Sequence, residues 1–298
     1  MGAMRVIVSP PARLISRQAP WFGLFVLLMT TLVWATRAQV VEARPIYRGV
    51  TYSCHVLDGP SGDGLMHLVT VDLRQPGIGL YVTPRDPEAV KQGWQYRLEQ
   101  PLSAARRQHL AVATNAVFFH AQGVGQIGMT RLYRPGQLAR AQQTVIADGQ
   151  ANHNYLRGHL VWFDDELTPH LLGPHRRLEE VRDRARWAVG GEFQIVTGGR
   201  PHPNLGRRPL DQIVPRTVLG WDRPNRLLYL AVFQRAGYDE VARALIEQGV
   251  PDAVLLDGGG SSCMVIGRQT RNMRPGIVHG GLRPVAVHFG IRAEPLPD

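Results

Sequence analysis

Apolar and polar positions alternate through most of the chain from Gly49 onward, interrupted by turn signals. Residues 65–73 and 78–82 carry the two-residue period of half-buried strands, so the first half reads as strand-rich. Residues 103–108 read as a short helix. Residues 110–114 read as a buried strand running into Asn115-Ala116-Val117-Phe118-Phe119. The stretch 122–159 has little periodicity and reads as a long loop region with room for one hairpin; loops of that length are more often functional or mobile than idle. The second half is clearer. Residues 227–233 form a continuous apolar strand, and 238–248 place Val241, Ala244 and Leu245 on one helical face with Gly249 as stop signal. Residues 253–256 read as another buried strand. Strand, helix and strand with short connections predict a crossover between parallel strands, with Asp257 at the carboxyl end of the second, the edge where open α/β sheets hold ligands. The pattern therefore predicts an α/β (mixed α+β), sheet-rich single domain whose crossover carries the Asp-Gly-Gly-Gly-Ser-Ser loop.

The N-terminal segment changes this picture. Residues 21–35 form an apolar run preceded by Arg5, Arg13 and Arg17 and followed by Arg37. The run is shorter than the roughly 20 residues that span a bilayer, and Ala35 and Ala38 are small residues of the kind a signal peptidase accepts. Residues 1–38 are thus read as a cleaved export signal in preference to a retained membrane anchor, and 45–298 as the functional domain. The expected location is outside the cytoplasm: periplasmic, extracellular or membrane-anchored facing outward. An oxidising compartment lets the two cysteines, Cys54 and Cys263, either pair or remain separate buried thiols. The formal charge of +10 is almost wholly arginine, since Lys91 is the only lysine, and it is scattered along the chain. That is not the pattern of a nucleic-acid-binding tail. A basic exported protein attracts anionic envelope polymers or phosphate-bearing substrates.

The string with the most chemical content is Leu255-Leu256-Asp257-Gly258-Gly259-Gly260-Ser261-Ser262, in which a buried strand delivers a carboxylate into three glycines that let backbone approach a ligand closely. A plain structural turn accounts for the glycines but less well for the hydroxyl pair. A nucleotide loop fits poorly, because the P-loop lysine is missing and the residues after Ser262 read as strand. The eleven histidines show no zinc spacing: His153 with His159, and His170 with His175, lie on loop-like sequence without a third ligand nearby. No cofactor is expected, although an oxygen-ligated divalent ion near Asp257 would leave little trace in sequence.

Several ordered blocks resemble the phosphodiester glycosidase family: Asn115-Ala116 with Phe118-Phe119, Gly190-Gly191 to Gly198-Gly199, Pro215-Arg216-Thr217 with Gly220, the 256–262 string, and Arg283-Pro284. The resemblance implies hydrolysis at the anomeric carbon of a sugar-1-phosphodiester or phosphorylated glycan, in a site assembled from these loops. In that setting Arg216 and Arg283 suit two-point contact with phosphate oxygens. Asp257 would activate water or stabilise an oxocarbenium-like transition state. Asn115 and Thr217 would hydrogen-bond sugar or phosphate, Ser261 with the Gly258 and Gly259 amides would form an anion nest, and Phe119 would stack on the sugar. No second carboxylate shares Asp257's setting, leaving Asp148, Asp211 and Asp222 as candidates. Two other readings stay open: a non-catalytic module for phosphorylated envelope polysaccharide, and a metal-dependent phosphoesterase.

Overall fold

The computed structural model describes residues 39–58, 64–127, 130–153, 155–205, 212–267 and 276–297. The N-terminal export signal expected over 1–38 lies outside them, and so does Asp211. Among the described residues no helix is long and apolar enough to cross a membrane.

The main sheet runs in the order β1 (Gln39–Tyr47), β2 (Val50–Leu57), β3 (Gly64–Asp72), β19 (Leu227–Ala236), β18 (Val214–Asp222), β20 (Asp252–Leu255), β16 (Gln194–Thr197) and β17 (Arg200–Pro201). A second sheet is ordered β22 (Gly276–His279), β21 (Met264–Ile266), β6 (Val112–Asn115), β23 (His288–Arg292) and β4 (Gly79–Val82). A third is β12 (Gln150–Ala151), β11 (Val145–Ala147), β15 (Trp187–Gly191), β13 (His159–Phe163) and β14 (Pro169–Leu172). A small sheet joins β5 (Tyr96–Arg97), β10 (Leu138–Ala141) and β7 (Phe119–Ala121), and β8 (Gly125–Ile127) forms a hairpin with β9 (Thr130–Leu132). The stretch expected to be mostly loop therefore holds several strands. Each is only two to four residues long, so no run is long enough to display a two-residue period, and β10 and β11 also pair with distant segments.

The main sheet is covered on both faces, and strand alternation shows how. In β19, Leu228, Leu230 and Val232 enter a core shared with the second and third sheets, while Tyr229, Ala231 and Phe233 enter a core on the opposite face. That opposite face is capped by α3 (Tyr238–Glu247), which contributes Val241, Ala242 and Leu245. The helix starts at Gly237, whose N–H donates to the Glu240 carboxylate at 2.8 Å, and two acidic residues occupy its first turn, where the helix dipole favours them. The other helices are short. In α1 (Pro87–Lys91) Asp86 Oδ1 accepts from the Ala89 N–H, and α2 (Pro101–Arg107) packs Ala105 over the outer face of the second sheet.

β19 and β20 run in the same direction, as the strand-helix-strand reading requires, but they are not neighbours. β18 lies between them and pairs antiparallel with both, and every described pairing in the molecule is antiparallel. An intervening strand contributed from earlier in the chain carries no local sequence signal. Cys54 and Cys263 are both buried free thiols.

Candidate functional site

Asp257 follows β20 at its carboxyl end and is fixed there by main-chain bonds. The Leu256 N–H donates to the Thr217 carbonyl at 2.9 Å and the Asp257 N–H to the Ala116 carbonyl at 2.8 Å. The Asn115 side chain completes the clamp. Its Nδ2 donates to the Asp257 carbonyl at 2.6 Å, while its Oδ1 accepts from the Thr217 hydroxyl at 2.8 Å and the Cys263 N–H at 3.1 Å. One buried amide thus ties β6, β18 and both ends of the 257–263 segment together. Asn115 and Thr217 are both about 1% exposed, so they hold the loop's backbone in place with their polar atoms turned toward protein.

The Asp257 carboxyl is buried, and desolvation pushes its pKa up to about 7, since an ionised carboxylate is disfavoured away from water. Glu192 adds to the rise by repulsion. A hydrogen bond from Ser261, the positive charge of Arg283 and the Gly258 N–H work in the opposite direction. Gly259–Ser261 forms a single 3-10 turn that brings the Ser261 hydroxyl back to Asp257, and Arg283 Nη1 lies 3.5 Å from the same oxygen. A side chain at Gly260 would run into the Arg283 guanidinium, so that glycine makes the close approach possible. Arg283 also lies over the Tyr133 ring at 4.9 Å, and Tyr133 meets the half-buried Phe119 edge-on at 5.4 Å. Asp257, Gly258, Gly259, Ser261, Arg283 and Phe119 therefore gather in one place.

Arg216 is placed differently. Consecutive residues of β18 face opposite sides, so Thr217 meets Asn115 while Arg216 points toward α3. There its Nε donates to the Ala236 carbonyl at 3.4 Å, its Nη2 donates to the Gln212 carbonyl, and its guanidinium lies 4.2 Å from the Tyr238 ring centre. Its stem backs the loop at Gly258, but the charged group is engaged by protein and not joined with Arg283. Of the two arginines expected to contact phosphate, Arg283 lies beside Ser261 and Asp257, and Arg216 does not join it there.

A further carboxylate, Glu192, not among the three aspartates kept as candidates, lies near Asp257 in an exposed setting unlike its own, close enough to raise the Asp257 pKa. Its N–H donates to the Leu255 carbonyl at 2.8 Å, beside the strand that delivers Asp257. A side chain at Gly191 would collide with Val254, so that glycine lets β15 cross β20 closely, while Gly190 makes room for Gln143 on the other side. The signal was present: an acid directly after Gly190-Gly191 in one of the conspicuous blocks. Asp148 sits in an exposed turn beside Arg186, and Asp222, at the far end of β18, caps a turn through Asn225. Among the described residues no group of three or more His, Cys, Asp or Glu is arranged to hold a metal.

A model of the phosphodiester glycosidase family matches residues 108–292, which includes every residue of this site. No curated protein sequence matches the chain. Of solved structures, the catalytic domain of zebrafish N-acetylglucosamine-1-phosphodiester alpha-N-acetylglucosaminidase, auto-inhibited by its pro-peptide, is 18% identical with a TM-score of 0.60 over 87% of each chain. A hypothetical protein from Synechocystis is 14% identical with a TM-score of 0.58 over 87% of this chain; the match spans 65% of that longer protein. At such identities these likenesses establish a shared fold.

Proposed function

The chain belongs to the phosphodiester glycosidase family, and from that premise we propose that it hydrolyses a sugar-1-phosphodiester at the anomeric carbon, releasing the sugar and a phosphate monoester. The observation that carries this reading is a buried carboxyl, Asp257, with a pKa of about 7, hydrogen-bonded by Ser261 and held in the field of Arg283, which reaches the same hydroxyl. A carboxyl poised there changes protonation near neutral pH, which suits a general base. In the proposed step, water bonds to the anomeric carbon and gives a proton to Asp257. The bond from that carbon to the phosphate oxygen breaks, and the electron pair leaves on the phosphate, whose charge Arg283 offsets. Glu192 offers a second, solvent-facing carboxylate to balance positive charge developing on the sugar ring. Asn115, Thr217 and Arg216 position the loop. The substrates proposed are phosphodiester-linked glycans of the envelope or extracellular space, reached by export through the N-terminal segment.

Turnover of a panel of sugar-1-phosphodiesters in oxygen-18 water tests the proposal. Label in the released sugar is the expected result. Label in the phosphate would instead indicate a phosphoesterase, and tight binding without turnover a non-catalytic module.

A further inference from the structure

A cavity of about 570 Å³ opens on the small sheet between β10, α1 and the segment after β12. We propose that it is a binding site for an acidic saccharide unit, distinct from the Asp257 site and independent of turnover there. Its floor is fixed before any ligand arrives. Gln95 accepts from the Ala141 N–H at 2.9 Å and donates to the Asn152 carbonyl at 3.1 Å, and the Asn152 side chain bonds the Val145 N–H and the Gln143 carbonyl.

Flat rings stand around that floor in two stacked pairs. Trp94 lies on His120 with centroids 6.2 Å apart, and His153 lies on Tyr155 at 4.9 Å. Tyr155 is 56% exposed, so the ring contributes surface and not core. Aromatic faces of this kind suit the apolar face of a sugar ring, with polar groups at the edge to fix its hydroxyls.

The charge around the rings selects the ligand further. Arg85, Arg140 and Arg157 line the cavity and no carboxylate does. Arg140 is occupied by the Gly93 carbonyl and the face of Trp94. Arg85 and Arg157 are exposed and make no ion pair with a described residue, and the nearby acids Asp86 and Glu88 are paired with Arg97 and Lys91. The pKa of His153 is lowered by burial and further by Arg157, consistent with a positive field inside the cavity. Two free guanidinium groups beside sugar-sized aromatic platforms match a saccharide bearing a carboxylate or phosphate. A cavity of this size holds one or two sugar units, whereas a nucleic acid strand needs a longer basic track.

The two sites back onto one strand. In β7, Phe119 faces Tyr133 near Arg283, and the next residue, His120, faces the cavity beside Arg140, its partner in register.

Titration calorimetry on the full chain tests the proposal with probes that contain no sugar-1-phosphodiester: hexagalacturonate, neutral maltohexaose, inorganic phosphate and single-stranded oligothymidylate. Hexagalacturonate should bind about tenfold or more tightly than maltohexaose. Arg85→Gln, Arg157→Gln and Trp94→Ala should each weaken it by about tenfold, the loss expected for one charge-assisted or stacking contact. Both arginines are exposed, so their variants should keep the wild-type melting temperature and unchanged turnover of a small sugar-1-phosphodiester. Equal binding of the neutral glycan, unaltered binding by the arginine variants, or tighter binding of phosphate or of the oligonucleotide than of hexagalacturonate would each overturn the proposal. None of these outcomes depends on the chemistry at Asp257.

Discussion

Asp257→Asn preserves size and most hydrogen bonding while removing the base, so turnover should fall by roughly two to four orders of magnitude with the fold intact. Near-wild-type kinetics would show the loop to be a structural turn. As a base, Asp257 must be ionised, so kcat/KM of the wild type should rise through about pH 7 and level off above it. Arg283→Gln removes a charge that lowers this pKa, so the rising limb should move to higher pH as well as lose height. The same carboxyl affects stability. Its folded pKa is raised, so its contribution is fully present below about pH 4 and is lost as pH rises through about 7. Denaturation curves for Asp257→Asn should therefore gain most over wild type at pH 8 and least at pH 4. Arg216→Lys should behave unlike Arg283→Lys, since Arg216 bonds backbone carbonyls and Tyr238: melting temperature should fall first, with activity following it. Asp257, Ser261 and Arg283 were legible because a local string or block marks each. The separation of Arg216 from Arg283 was not legible, because the block Pro215-Arg216-Thr217 does not itself show that strand alternation sends Arg216 and Thr217 to opposite faces.

At the scale of elements, the clamp on the 257–263 segment is concentrated in one side chain. Asn115→Ala deletes three buried bonds and strands the Thr217 hydroxyl, a loss of about 2 to 4 kcal/mol. Thr217→Val deletes one, for about 1 kcal/mol. If the clamp places Asp257, kcat should drop in both variants more than KM rises; parallel urea titrations and kinetics would separate that from simple unfolding. Gly191→Ala tests the β15–β20 crossing, where overpacking against Val254 should cost about 1 to 3 kcal/mol and disturb Glu192 together with it. Longer elements were readable in the sequence: β3, β19 and α3 each span enough residues to display their period. The strands from β7 to β12 were not, because each spans only two to four residues, too few to display a period, and β7, β10 and β11 also depend on partners roughly 20 to 45 residues away. Glu192 was missed for a related reason, since its proximity to Asp257 exists only once β15 lies against β20.

For the molecule as a whole, two buried histidines set an acid limit. Burial lowers the pKa of His67 and of His288 to about 4, His67 also feeling His279. A lowered folded value means stability that is complete above about pH 6.5 and is lost as pH falls toward 4, opposite in sign to Asp257. Denaturation midpoints should decline over that window, and His67→Gln should flatten the decline. A slope unchanged by the substitution would place the loss elsewhere. The sheet-rich character was visible in the alternation of polar and apolar positions, whereas the uniformly antiparallel arrangement was not, because β18 enters between β19 and β20 from outside the local crossover. That insertion also gives the unit a timescale. β19 has paired strands on both edges and a core on both faces, so deuterium can reach its amides only when the whole unit opens. They should be the last to label, at a rate that reads the global unfolding free energy, while the outer strands β1 and β17 label early through local fraying.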